Sequence, residues 1–124
     1  MSPRFWIAVG AALAATAVAA GAIGAHALRD RLDPRQFESY ETAVRFQLFH
    51  AVALVVIGAL GAALPGPKWS IPGWLFLFGA LLFSGGIYGW LLTGARALVH
   101  ITPVGGVGLI AGWVALAVVA LRRN

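Results

Sequence analysis

Three histidines, His26, His50 and His100, are the side chains of this 124-residue sequence best suited to binding a metal or moving a proton. Two of them lie in its one strongly polar stretch, Gly24 to His50. The same stretch holds all four acidic residues (Asp30, Asp33, Glu38, Glu41) and four of the nine basic ones (Arg29, Arg31, Arg35, Arg45). As metal ligands the histidines lack a fixed short spacing of the HxxxH or CxxC kind, so no metal and no cofactor is assigned. The absence of cysteine excludes disulfides, thiolate sites and cysteine nucleophiles. Ser84, Tyr88, Glu38 and Glu41 add no recognised nucleophile and base to the histidines, which makes an enzyme the least favoured class. What remains is polar binding, proton handling, or imidazoles satisfied at a membrane interface by carbonyls, carboxylates or lipid phosphates.

The elements that must position these groups are set by composition. With 60% hydrophobic and 10% charged residues, the chain departs from the roughly 25% charged residues of a soluble domain, and apolar runs of spanning length recur. It reads as a single membrane domain. A net charge of +5 would suggest nucleic acid in a soluble protein. Here the basic residues sit at the ends of apolar runs, where they favour lipid head groups and fix orientation, and nucleic acid is set aside.

The expected fold is an all-α antiparallel bundle of four transmembrane helices. The spans fall at about 5–26, 45–64, 73–93 and 102–121, with a short amphipathic interfacial segment before the second. The first apolar run, Phe5 to Ala25, exceeds the roughly 7 to 15 residues of a signal-peptide core and is taken as a span. Along it Ala8, Ala12, Thr16, Ala20 and Gly24 recur every four residues, a ridge on which another helix could pack closely. Asp33-Pro34-Arg35-Gln36 is a helix start with N-cap, first-turn proline and capping box, so the second helix can begin at Pro34. A proline turn, Leu64 to Gly73, leads to the third span, which carries a GxxxG pair at Gly85 and Gly89 and ends at Thr93-Gly94. Thr102-Pro103 reads as the start of the fourth, whose Gly108 and Gly112 offer a further packing face.

Four spans place both termini on one side, with Arg4, Lys68, Arg122 and Arg123. The Arg29 to Arg45 loop and the Arg96 to His100 connection lie on the other. The acids on the long-loop side blunt its arginines, which favours cytoplasmic termini. Helix order is then expected to gather His26, Gln47, His50, Tyr88, His100 and Thr102 into one polar site at the long-loop face, with Arg29, Arg31, Arg45 and Arg96 as head-group contacts.

Four motifs carry a family resemblance: Gly21-Ala-Ile-Gly-Ala-His26, Thr42-Ala-Val-Arg-Phe-Gln-Leu-Phe-His50, Phe83-Ser-Gly-Gly-Ile-Tyr88, and Ile101-Thr-Pro-Val-Gly-Gly106 with Gly112-Trp113. Together they resemble the small YgdD/YwdK-type inner-membrane proteins, the domain-of-unknown-function family 423. The resemblance runs from the first span to the fourth. It implies a four-span protein of the bacterial inner membrane and supplies no catalytic residue.

The function class expected is a structural or accessory subunit that contacts the lipid bilayer, including anionic head groups, and packs with itself as a homo-oligomer or with a larger membrane complex. The alternative is a small passive transporter, channel or lipid-handling protein. Ion-coupled transport is disfavoured by the lack of an acidic or basic residue well inside the spans.

Overall fold

Asp33, Pro34 and Gln36 start the longest of the four α-helices among the described residues in the way their chemistry dictates. In the computed structural model, which describes residues 1–66 and 68–122, the Asp33 carboxylate accepts from the Gln36 backbone N–H at 2.9 Å. The Gln36 side chain accepts in return from the Asp33 N–H at 3.1 Å. Pro34 sits in the first turn, where its missing donor leaves no bond unmade. The four helices are α1 (Pro3–Ile23), α2 (Pro34–Ala63), α3 (Ser70–Thr93) and α4 (Ala97–Leu121), each long and apolar enough to cross a membrane. No strand occurs among the described residues. Pro67 of the proline turn and Arg123, counted above on the terminal side, lie outside the described residues.

The path is antiparallel, with α2 packed between α1 and α3 and α4 seated chiefly on α3. The terminal amine of Met1 donates to Ser70 Oγ at 3.3 Å, which ties the start of α1 to the start of α3. Both described ends of the chain therefore share one end of the bundle, and the Arg29 to Arg45 loop and the Arg96 connection share the other. At the terminal end the core is built from Trp6, Leu54, Ile57, Phe76 and Leu109, all almost fully buried.

Lipid hydrocarbon is as apolar as leucine, so helices in a membrane gain by close fit rather than by escape from water. Glycine permits that fit at two crossings. A Cβ added to Gly10 of α1 would lie 2.7 Å from the Ala51 carbonyl oxygen and 2.9 Å from the Val55 nitrogen, so α1 rests directly on the backbone of α2. On α3 and α4 the meeting point is Gly79 with Gly108, where an added Cβ would lie 3.3 Å from the facing Cα.

Several sequence-based boundaries and faces are corrected. The expected helix start at Pro34 holds, and the amphipathic stretch at 34–44 runs on without a break into the span. α4 begins at Ala97 rather than at Thr102, with Pro103 inside it. The Thr102 hydroxyl donates to the Leu98 carbonyl at 3.4 Å in the turn that Pro103 interrupts. α1 is prolonged by a π turn, Gly24–Leu28, closed by Arg29 N–H to Gly24 C=O at 3.0 Å. The ridge Ala8, Ala12, Thr16, Ala20, Gly24 serves the chain only in its second half, where Thr16 and the Ala20 carbonyl accept from Gln47 and Tyr40 and Gly24 lies under the Tyr40 ring. Ala8, Ala12 and Thr16 are exposed, and the buried line is Trp6, Gly10, Ala17 and Gly24. In the GxxxG pair, Gly89 meets Leu98 but Gly85 faces open space. Gly112 does pack, against the Phe76 ring, and Gly94 ends α3 in the left-handed conformation at φ 71°.

Candidate functional site

One face of α2 collects the buried polar groups. Tyr40, Ala43, Gln47, His50, Leu54 and Ile57 follow a spacing of three and four residues, and all are buried. That is the period of a helix stripe facing its neighbours. Four of the six present a polar atom to another helix.

Gln47 is the centre of the stripe and is 7% exposed. Its Nε2 donates to the Leu13 carbonyl at 2.9 Å and to Thr16 Oγ1 at 2.8 Å, both on α1. Its Oε1 accepts from the Tyr88 hydroxyl of α3 at 2.8 Å. One amide therefore pins three helices. Around it, the Tyr40 hydroxyl donates to the Ala20 carbonyl, and the Tyr40 ring packs on Gly24 and lies 5.7 Å from that of Tyr88. Ser84 donates to the Ala43 carbonyl at 2.7 Å. The Ala43 carbonyl is already a helix acceptor, and a carbonyl oxygen has two lone pairs to offer.

His50 stands one turn deeper and is 6% exposed. Its Nδ1 lies 2.7 Å from the Phe46 carbonyl, which makes Nδ1 the donor. Its Nε2 then accepts from the indole Nε1–H of Trp113 at 3.0 Å. This fixes the neutral tautomer with both ring nitrogens engaged. Phe76 packs edge-on against Trp113 at 4.7 Å and completes the aromatic surround.

The six residues expected to form one site are therefore divided. Gln47 and Tyr88 meet. His50 bonds α4 at Trp113, thirteen residues beyond His100, or roughly 20 Å of helix rise. The expectation of three histidines at one membrane level is overturned: His50 is inside the bundle, His26 is exposed on the π turn, and His100 is exposed near the start of α4. Among the described residues no group of three His, Cys, Asp or Glu side chains is placed to hold a metal ion. Thr102 is half-buried between α3 and α4 beside Gly86, apart from the Gln47 network. Arg29, Arg31, Arg45 and Arg96 are exposed at the long-loop end.

Tyr40, Ser84 and Trp113 were not singled out as partners from sequence. The first belongs to the stripe beginning at residue 40, which the period of α2 carries. The others depend on helix pairing, which no local pattern encodes.

Chemically, this arrangement orients and locks. The Ser84 hydroxyl is directed to a backbone carbonyl, and both nitrogens of His50 are occupied, so neither forms a nucleophile and base pair with the other.

Comparison with other proteins agrees with this architecture. The family described as "Protein of unknown function (DUF423)" matches residues 20–106. A UPF0382 membrane protein of Staphylococcus epidermidis is 40% identical over 120 residues, covering 96% of this chain and 97% of its own. The UPF0382 membrane protein YwdK of Bacillus subtilis is 35% identical over 120 residues, covering 96% and 98%. No solved structure matches the chain. The chain is a membrane protein and belongs to the DUF423 family, alongside the UPF0382 membrane proteins.

Proposed function

We propose that this protein is a structural or accessory component of the bacterial inner membrane, not an enzyme, which packs with copies of itself or with a larger membrane complex. The observation that carries this is the closure of the polar stripe: Gln47, His50, Tyr40, Ser84 and Tyr88 are engaged by backbone carbonyls or by one another. Groups engaged in this way hold helices together and are not free for chemistry. The outer face of α1, with Ala8, Ala12 and Ala15 exposed, is left to lipid or to a partner helix. Arg29, Arg31, Arg45 and Arg96 contact phospholipid head groups at the long-loop side, and the termini face the cytoplasm.

The test is extraction from native membranes in mild detergent, followed by size analysis and mass spectrometry of wild type and Ala12→Leu. A stoichiometric oligomer or complex that Ala12→Leu disperses, with the fold retained, supports this function. A monomer with no stoichiometric companion in both samples contradicts it.

Lipid handling is the second function in view, favoured by a lateral cleft of about 710 Å³ between α2 and α4. Its walls include Phe46, Phe49, Val52, Val56 and Leu116, with the His50 and Trp113 pair alongside. A cleft with these walls suits an acyl chain better than an aqueous pore.

A further inference from the structure

A second, smaller pocket lies on the outer side of the α1 and α2 pair at the long-loop end, with a volume of about 280 Å³. It is close to the lower bound of about 300 Å³ for small-molecule sites, which suits a head group rather than a whole lipid. The Gly21 and Gly24 segment of α1 and the π turn line one side, with the Tyr40 ring packed on Gly24, and Phe37 and Tyr40 form an aromatic wall. Three charged side chains line it: Arg29 from the end of the π turn, and Glu41 and Arg45, one turn apart on α2. The Arg29 guanidinium lies 5.9 Å from the centre of the Phe37 ring, a contact that holds it over the pocket wall.

We propose that this pocket binds the head group of a glycerophospholipid bearing a primary ammonium, a phosphoethanolamine lipid, with its phosphate on Arg29 and Arg45 and its ammonium on Glu41. The charge pattern decides the class. Two guanidiniums match one phosphate, and guanidinium is well suited to phosphate through paired N–H donors. A carboxylate in the same small pocket repels a lipid whose only charge is its phosphate, but it complements a zwitterion. It also accepts hydrogen bonds from a primary ammonium, which a quaternary ammonium has no N–H to give. Depth agrees with this assignment, because the charged groups stand at the loop end and Leu48 stands at the pocket's inner limit. Leu48 also lines the lateral cleft between α2 and α4, so an acyl chain entering at the pocket has an apolar surface to follow. This rests on the head-group contacts of Arg29 and Arg45 proposed above and names the lipid class, and it does not depend on a protein partner.

The experiment is native mass spectrometry of the full chain in mild detergent. It is titrated separately with phosphatidylethanolamine, phosphatidylglycerol and phosphatidylcholine of identical acyl chains. Wild type is expected to retain one phosphatidylethanolamine about tenfold better than either other lipid, the discrimination of one charge-assisted hydrogen bond. Glu41→Gln is expected to abolish that preference, and the Arg29→Ala, Arg45→Ala double variant to weaken all three lipids. Lys68→Ala, at the opposite end of the bundle, should behave as wild type. Equal retention of the three lipids by wild type, or an undiminished preference in Glu41→Gln, overturns the proposal. All four side chains are exposed, and helicity by circular dichroism verifies that each variant is folded.

Discussion

The two ends of this bundle differ in the balance of their contacts: glycine approaches occur at both, but side-chain hydrogen bonds of α2 gather toward the long-loop end. At the terminal end, glycines bring backbones into contact and large rings fill the remaining space, as where Trp6 lies against Gly73 and meets Trp74 at 5.0 Å. At the long-loop end, helices are joined by named polar atoms: Gln47 to Leu13, Thr16 and Tyr88, Tyr40 to Ala20, and Ser84 to Ala43. Steric fit is unforgiving of added volume but indifferent to polarity. Hydrogen bonding has the opposite sensitivity, and in hydrocarbon it also specifies register, because a slipped helix leaves polar atoms unpaired. The buried indole nitrogen of Trp6 has no hydrogen-bond partner among the described residues, and its ring is placed by packing on Phe5 and Trp74.

The largest effect is expected from adding volume at the terminal end. Gly10→Leu should remove most folded protein, because the new side chain meets the backbone of Ala51 and Val55. The milder Gly10→Ala should destabilise by about 1 to 3 kcal/mol, the usual range for overpacking. Gly85→Ala, placed inside α3 where nothing lies within 4 Å, should be neutral or stabilise by up to about 1 kcal/mol. Reversible unfolding in mixed detergent micelles reads all three, and a tolerated Gly10→Leu would remove the basis for close packing of α1 on α2.

Next comes Gln47→Leu, which keeps the approximate volume and removes three interhelical bonds. At about 0.6 kcal/mol per bond the loss should be about 2 kcal/mol. Trp113→Phe retains a ring against Phe76 and deletes only the bond to His50. Its expected loss of about 0.6 kcal/mol should appear in the same unfolding assay. Smallest for the isolated chain is Ala12→Leu on the exposed face of α1. Unfolding should be unchanged, while recovery of an oligomer or complex falls. A destabilised monomer would mean that this face is used within the chain.

Much of the architecture was legible in the sequence. Asp33-Pro34-Arg35-Gln36 encodes a helix start locally, and four apolar runs encode spans by length alone. The phase of α1 was not legible, since alanine and glycine occur all round it and several four-residue ridges can be drawn. The start of α4 was misplaced because Pro103 is most at home in a first turn, yet the helix carries it in its second. The π turn at Gly24–Leu28 breaks the 3.6-residue period without any residue that announces it. For the candidate site, Gln47 and Tyr88 were named, but His50 was assigned to the membrane surface from its position in the sequence. Its actual partner, Trp113, lies 63 positions away, and only helix pairing brings the two together.

The central claim is that buried polar residues of α2 act as interhelical ties, and the bond between Gln47 and Tyr88 is its clearest case. A double-mutant cycle with Gln47→Leu, Tyr88→Phe and the double variant, read by reversible unfolding in bicelles, measures that tie directly. A coupling of about 0.6 to 1.7 kcal/mol is predicted for a direct interhelical bond. Additivity of the two substitutions within about 0.3 kcal/mol would contradict it.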